Sequence, residues 1–262
     1  MSLPTSSMEG GKRAPPRVGA FFKAEIDPRH GEMILFGCCL SSGLVDSTTY
    51  NAYRTFVSMQ TGNTIFVGLG ASGQEARAYG WVGSLTAIGC FVVGSFLFAR
   101  LHRMLGARRR GSLMLSFAIQ AGLILLTAGL VQGQVVSSVL AGGGNDSDAA
   151  GSTTPLWNEE VPIVLLSLQS AGQIVASRTL GFNEIPTVVI TSLLCDLMSD
   201  PKLFLLRNEK RDRRVIAFAL TLVGAVIGGW ITKATQQIGP VLWLSAGIKL
   251  VLAGVWGFWT TV

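Results

Sequence analysis

Long apolar blocks separated by short polar stretches dominate the chain after residue 30. A membrane-spanning helix needs roughly 20 apolar residues, and four blocks meet that length without interruption: 81–101, 112–134, 215–234 and 240–260. Two more blocks, 32–53 and 161–180, have the length but contain polar residues. This pattern predicts six membrane-spanning helices.

Two further segments, 55–71 and 184–199, are short for a span and have polar or small residues at their centres. The first centre is Gln60-Thr61-Gly62-Asn63, and the second is Thr191-Ser192. Non-helical backbone at membrane depth is tolerated only where protein buries it or where it lines a wet cavity. Both segments are therefore predicted to be re-entrant or broken helices.

The composition agrees with a membrane protein. Apolar residues make up 49% of the chain and charged residues 14%, whereas about a quarter of a soluble domain is charged. The 32 glycines suit close helix packing in lipid. The predicted fold class is an all-α integral membrane protein with about six transmembrane helices plus two re-entrant or broken helices.

The net charge of +6 comes mainly from three basic clusters, within residues 12–29, 100–110 and 202–214. Cytoplasmic loops are enriched in Lys and Arg, and six spans place all three clusters on one side, whereas eight spans do not. Residues 1–30 are thus predicted to be a disordered cytoplasmic tail, in a plasma membrane or an endomembrane. Anionic lipid headgroups are compatible partners, and nucleic acid is not expected.

The acidic stretch 135–160 is predicted to be an extramembrane loop on the opposite side. It contains the glycosylation sequon Asn145-Asp146-Ser147, which makes Asn145 a candidate glycosylation site.

The two halves of the membrane domain, 32–134 and 161–260, follow the same order of features. Gly43 precedes Thr61-Gly62 in the first half, as Gly172 precedes Thr191-Ser192 in the second. Three crossings per half would insert the second half inverted, and paired interrupted segments in inverted repeats mark the binding site of many secondary transporters. The alternative is two unrelated polar breaks.

Asp46 lies deep within the first block, where a carboxylate costs roughly 2.5–3.5 kcal/mol to insert. It is expected to face the bundle interior and to have a partner. It could carry a proton or coordinate a cation; alternatively, it could pair with Arg178 or cap a break in a helix.

The other candidate ligands are neutral hydrogen-bonding groups and a few charges. Lys249 in the last block is either an intramembrane charge or a side chain that snorkels to the interface. Gln169 and Gln173 share one helix face and form a polar stripe with Arg178. The candidate solute- or ion-binding residues are Asp46, Gln60, Thr61, Gly62, Asn63, Thr64, Gln169, Gln173, Arg178, Thr187, Thr191, Ser192 and Asp196.

Chemistry that needs a metal or a catalytic triad finds little support. The cysteines Cys38, Cys39, Cys90 and Cys195 form no CxxC pair, and the chain has two histidines. A zinc site needs a cluster of such ligands, so no metal, cofactor or enzymatic activity is predicted.

Five runs resemble the YoaK-like family of multi-pass membrane proteins of unknown function, with the last resembling its fungal branch: Gly43–Tyr50, Phe56–Thr64, Leu168–Arg178, Ile185–Thr191 and Cys195–Lys202. Ser192 is a departure from this family, because many relatives carry Gly after the residue that corresponds to Thr191. The resemblance covers about residues 32–260 and implies an integral membrane protein with about six helices. It implies no substrate.

Two functions are therefore predicted as alternatives. The first is a carrier of a small solute with its site at the paired broken helices. The second is a membrane scaffold or assembly protein without transport activity. An oligomer is compatible with either.

Overall fold

The computed structural model describes residues 18–74, 79–136 and 157–262. These residues form nine helices, numbered in chain order: α1 Val18–Lys23, α2 Glu32–Tyr53, α3 Gln60–Ala71, α4 Gly80–Leu105, α5 Arg110–Gln132, α6 Trp157–Leu180, α7 Ile190–Met198, α8 Glu209–Thr235 and α9 Gly239–Phe258. The all-α prediction is confirmed, and α6 begins a few residues before the predicted boundary at 161. Asn145 and most of its loop lie outside the described residues.

Five of these helices, α4, α5, α6, α8 and α9, are long and apolar enough to cross a membrane. The sixth long helix, α2, has 22 residues but is more polar. Most of its side chains are buried against protein, so its polar residues avoid lipid. This burial explains why a polar helix of spanning length is tolerated in a bundle of apolar ones.

Close packing at glycines joins the long helices in pairs. Gly43 of α2 lies against the backbone of Thr221 in α8, and Gly224 of α8 lies against the backbone of Leu40. In the same way, Gly94 of α4 lies against Leu168 of α6. The third extensive pairing is between α5 and α9. These approaches show why small residues punctuate α2, α4 and α8.

Within the described residues, the basic clusters gather at one end of the bundle, called here the basic end. Arg110, at the start of α5, donates a hydrogen bond to the carbonyl oxygen of Trp259 after α9. Arg213, near the start of α8, forms an ion pair with Glu32 at the start of α2. Helices α2, α5 and α8 thus run away from the basic end, and α4, α6 and α9 run toward it.

The prediction of a disordered tail over residues 1–30 is wrong for residues 18–30, and residues 1–17 lie outside the described part. Ile26 is fully buried, and its amide donates to the carbonyl oxygen of Arg108 at 2.9 Å. The amide of Val262 donates to the carbonyl oxygen of Glu25. The tail residues pair with two other backbone segments, which the proline and charge content does not reveal.

Candidate functional site

Two re-entrant segments interrupt the bundle. The first, residues 54–59, follows α2 and precedes α3; the second, residues 181–189, follows α6 and precedes α7. The helices α3 and α7 have 12 and 9 residues, or about 18 and 14 Å, well short of a hydrocarbon core of about 30 Å. Neither the first re-entrant segment with α3 nor the second with α7 therefore crosses the membrane as a continuous helix, as predicted.

Asp46 holds the first re-entrant segment inside the bundle. Its Oδ1 accepts hydrogen bonds from the amides of Val57 and Ser58, each at 3.1 Å, and its Oδ2 accepts one from the Ser58 hydroxyl. Asp46 lies seven residues before the end of α2, so the segment turns back by about 10 Å. The prediction that Asp46 caps a break in a helix is therefore confirmed.

Asn63 fixes the turn from the first re-entrant segment into α3. Its Nδ2 donates to the carbonyl oxygen of Phe56 at 2.6 Å, and its Oδ1 accepts from the Phe56 amide at 3.2 Å. Gly62 leaves room for the Phe56 ring, because a Cβ there would lie 3.1 Å from it. The Phe56 ring in turn stacks on Tyr50 of α2 with centroids 4.6 Å apart.

The second re-entrant segment is held by α6 from the opposite end of the bundle. The Ser177 hydroxyl lies 2.6 Å from the carbonyl oxygen of Ile185, and Gln173 Nε2 reaches the carbonyl oxygen of Thr187 at 3.5 Å. Gln173 lies seven residues before the end of α6. Thr187 has φ +59°, a costly conformation for a β-branched residue, at the inner end of the segment.

The inner ends of the two segments reach the same stretch of α6. The Ser170 hydroxyl donates to the carbonyl oxygen of Val57 at 2.9 Å, and Gln173, one turn further along α6, contacts Thr187. Gln173 Nε2 also donates to the Ser42 hydroxyl of α2 at 2.7 Å. The two segments therefore meet where α2 and α6 cross.

A buried lysine lies beside this crossing. Lys249 of α9 has no exposed surface, and its Nζ donates to Gln120 Oε1 of α5 at 2.8 Å and to Gln173 Oε1 at 2.5 Å. Cys38 Sγ lies 3.7 Å away, and the Phe117 ring centroid lies 5.5 Å away. The structure thus places Lys249 inside the bundle and excludes the snorkelling alternative.

The predicted residues divide into those that face the interior and those that do not. Asp46, Asn63, Gln169, Gln173 and Thr187 are buried. Exposed residues, by contrast, lie on the outer faces of the bundle: Thr61, Thr64, Arg178, Thr191, Ser192 and Asp196. Gln60 and Gly62 are half-buried. A role in ligand binding stays a prediction for all of them.

The alternative pairing of Asp46 with Arg178 is wrong. Arg178 donates to the side chain and carbonyl oxygen of Asn183 at 2.9 and 3.2 Å, outside the bundle. It lies five residues after Gln173, so on a helix it points well away from the Gln169–Gln173 face. The predicted polar stripe therefore ends at Gln173.

The place where the two re-entrant segments meet beside Lys249 is called here the centre. Three of its residues were not picked out as candidates in the sequence analysis: Gln120, Ser58 and Ser170. Gln120 is the one detectable from sequence, since it lies in the middle of the apolar block 112–134, whose other amides, Gln132 and Gln134, lie at its end. Ser58 and Ser170 act through partners 12 and 113 residues away, and no local spacing marks them.

Two other kinds of site, a metal site and a surface cavity, have weaker support. Within residues 18–74, 79–136 and 157–262, no three His, Cys, Asp or Glu side chains converge as metal ligands. A cavity of about 410 Å³ opens between the end of α5 and the start of α9, lined by Val131, Gln132, Pro240 and Trp243 among others. It lies at the end of the bundle opposite the basic end, on the same α5–α9 packing that carries Lys249.

Comparison with known proteins identifies a family for the chain. The family described as "Protein of unknown function (DUF1275)" matches residues 34–255. The match includes both re-entrant segments and Lys249, and it confirms the family resemblance drawn from the sequence; the fungal branch stays a prediction. No curated protein and no solved structure matches the chain. A match over most of the chain establishes that this multi-pass membrane protein belongs to the DUF1275 family.

Proposed function

We propose that the protein is a carrier, and not an enzyme, that moves a small solute across the membrane through the centre where its two re-entrant segments meet. The observation that supports this proposal is the approach of the segments from opposite ends of the bundle to one turn of α6, at Ser170 and Gln173. A site shared by two such segments can open toward one side when one segment moves and toward the other side when its counterpart moves.

The packing pattern supports the inverted repeat that this proposal needs. Exchanging α2–α5 with α6–α9 converts the α2–α8 pairing into the α6–α4 pairing and leaves the α5–α9 pairing in place. It likewise converts the contact of α5 with α6 into that of α9 with α2, and that of α3 with α4 into that of α7 with α8. This correspondence favours two related halves over two unrelated breaks.

The residues have separate roles in the proposed carrier. Asp46 and Asn63 fix the first re-entrant segment, and Gln173 connects the second to Lys249. The site residues are buried in this conformation, so it is an occluded state in which neither side has access. Transport requires that one set of these hydrogen bonds, at Ser170 or at Gln173, break before the other.

Uptake by purified protein in liposomes tests the proposal. A panel of labelled sugars, amino acids, monocarboxylates and inorganic ions is expected to contain a solute that exchanges faster than in empty liposomes. Asp46→Asn, Asn63→Ala and Gln173→Leu should abolish that exchange, whereas Gln74→Leu, at an exposed position after α3, should not.

The outcome against the proposal is equally specific. A scaffold or assembly protein would exchange none of these solutes above the background of empty liposomes. It would also copurify with a partner in fixed stoichiometry, which the three variants would leave bound.

We also infer that the basic end faces the cytoplasm, because Lys and Arg are enriched in cytoplasmic loops. The sequon at Asn145 would then face the lumen or the exterior. Expression in a glycosylating eukaryotic cell is expected to yield a product whose mass falls on deglycosylation and in Asn145→Gln. A sequon placed in the 107–109 turn should stay unmodified. Modification there would show that the basic end faces the lumen or the exterior.

A further inference from the structure

We propose that the centre binds a small monovalent anion at Lys249, which identifies the solute class of the proposed carrier and rests on that function for its transport role. Lys249 is fully buried, and among the residues that the structure describes, no Asp or Glu oxygen lies within the 4.0 Å ion-pair distance of its ammonium. Burial of this kind disfavours the charged ammonium, and a counter-charge such as a bound anion would stabilise it.

The carboxylate of α2 does not supply that counter-charge. Asp46 is engaged by two amides and a hydroxyl of the first re-entrant segment. The partners of Lys249 are instead two neutral amide oxygens, on Gln120 and Gln173. The remaining direction of the ammonium faces Cys38 Sγ at 3.7 Å, and a thiol is a weak acceptor.

Unpaired polar atoms near Gln173, which contacts the lysine, give an independent reason to expect a ligand. The Thr187 hydroxyl is buried and has no hydrogen-bond partner, although the carbonyl oxygen of Thr187 contacts Gln173. Gln169, one turn before Gln173 and also buried, has an unpaired Oε1. Buried polar atoms are normally paired, so these orphans indicate that the occluded centre is incomplete without a bound group.

The charges and hydrogen-bond donors define the class of that group. One positive charge balances one negative charge, and a second negative charge would lie uncompensated in the same buried region. The ammonium and the Thr187 hydroxyl are donors, as an anion requires, whereas the unpaired Gln169 oxygen is an acceptor and does not contact the anion directly. The residues around Lys249 are buried, which limits the ligand to a few atoms, such as a formate- or acetate-sized carboxylate.

Thermal unfolding of the purified protein in detergent tests this binding, followed through its six tryptophans. Formate and acetate are compared with formamide and acetamide, which have similar shapes but no charge, at constant ionic strength. A ligand that binds only the folded state raises the unfolding midpoint in a saturable way. We expect such a rise with the carboxylates and none with the amides.

Variants localise the effect. Lys249→Met should abolish the response, and Lys210→Met, an exposed residue of α8, should keep it. Thr187→Val keeps the branched shape and removes the hydroxyl, and it should weaken the apparent affinity about tenfold. If Lys249→Met does not fold, the wild-type comparison of carboxylate with amide and the Thr187→Val variant still decide the outcome.

Equal responses to carboxylates and amides, or an unchanged response in Lys249→Met, would overturn the anion site. Failure of the anion site and failure of the carrier give different results. Anion binding without exchange in liposomes would retain the site and refute the carrier, whereas exchange of an uncharged solute without anion binding would retain the carrier and refute this inference.

Discussion

The carboxylate of Asp46 accepts hydrogen bonds from both the amide and the hydroxyl of Ser58, 12 residues further along the chain. This arrangement converts a costly buried charge into the anchor of a re-entrant segment, since a carboxylate satisfied by several donors is far less costly to bury than a bare one. The depth of the first re-entrant segment is therefore set by the position of Asp46 on α2.

Removing the Ser58 hydroxyl should weaken that anchor. Hydrogen bonds to charged groups contribute about 1.5–3 kcal/mol, so Ser58→Ala is expected to lower the free energy of unfolding by that amount. Ser72→Ala is the control, because its hydroxyl donates to a carbonyl oxygen within the exposed end of α3. Chemical denaturation in detergent measures both, and equal losses would show that Asp46 does not depend on Ser58.

The close contact of α2 with α8 should be intolerant of even one methyl group. A Cβ at Gly43 would overlap the carbonyl oxygen of Thr221, a backbone atom that cannot rotate away. Gly43→Ala should therefore destabilise the fold by about 1–3 kcal/mol.

Gly89→Ala in α4 is the matched control for that substitution, since a Cβ there meets nothing within 4 Å. It should be neutral or stabilising by up to about 1 kcal/mol, because alanine is the better helix former. Unfolding curves of the two variants, measured together, decide between specific packing at Gly43 and a general effect of adding a methyl group. Identical curves would contradict the packing.

The sequence was sufficient for the helices and the two interruptions because those features are local. Apolar length marks a span, and the polar centres of 55–71 and 184–199 mark backbone that cannot remain a lipid-facing helix. Asp46 could be identified as an interior residue by its depth alone. Its partner Ser58 could not be identified, since no pattern in the sequence marks this serine.

Asp46, Gln173 and Lys249 could be identified from the sequence, but their arrangement could not, because it depends on contacts between distant segments. Lys249 meets Gln173 from 76 residues away and Gln120 from 129 residues away. The polar tips of α3 and α7 attracted attention, yet Thr61 and Thr191 face outward. The inner ends are instead Val57 and Thr187, which lie outside the helices and whose carbonyl oxygens contact Ser170 and Gln173.

Arg213 should keep the second re-entrant segment closed at the basic end. Its guanidinium contacts Glu184 of that segment at 2.9 Å and Glu32 of α2 at 3.5 Å, and both carboxylates are mostly buried, at 11% and 12% exposed. Loss of a charged hydrogen bond of about 1.5 kcal/mol corresponds to roughly a tenfold change in an opening equilibrium.

Arg213→Gln is thus expected to speed hydrogen exchange about tenfold at the amides of Phe182, Ile185 and Val188. Lys210→Gln, one turn away and exposed, should leave these amides unchanged, and the amides of α5 should be unchanged in both. Faster exchange throughout the bundle would instead indicate a general loss of stability and not a local opening.

The loop after α7 should respond to acid through Asp200. The amide of Lys202 donates to Asp200 Oδ1 at 2.8 Å, and this hydrogen bond, with those from Asn208 and then the charge of Arg214, holds the pKa of Asp200 below its ordinary value of 3.8. A carboxylate whose pKa is lower in the folded state stabilises the fold above its unfolded pKa, and this stabilisation disappears as the pH falls through the folded pKa.

Asp200→Asn should consequently unfold at a lower temperature than the wild type at about pH 6, and the gap should close as the pH falls below 3.8. Asp196→Asn, an exposed carboxylate of α7 outside this network, should leave the midpoint unchanged at about pH 6. Thermal unfolding across this pH range measures the gap. A gap that persists in acid would mean that the Asp200 hydrogen bonds act through shape and not through charge.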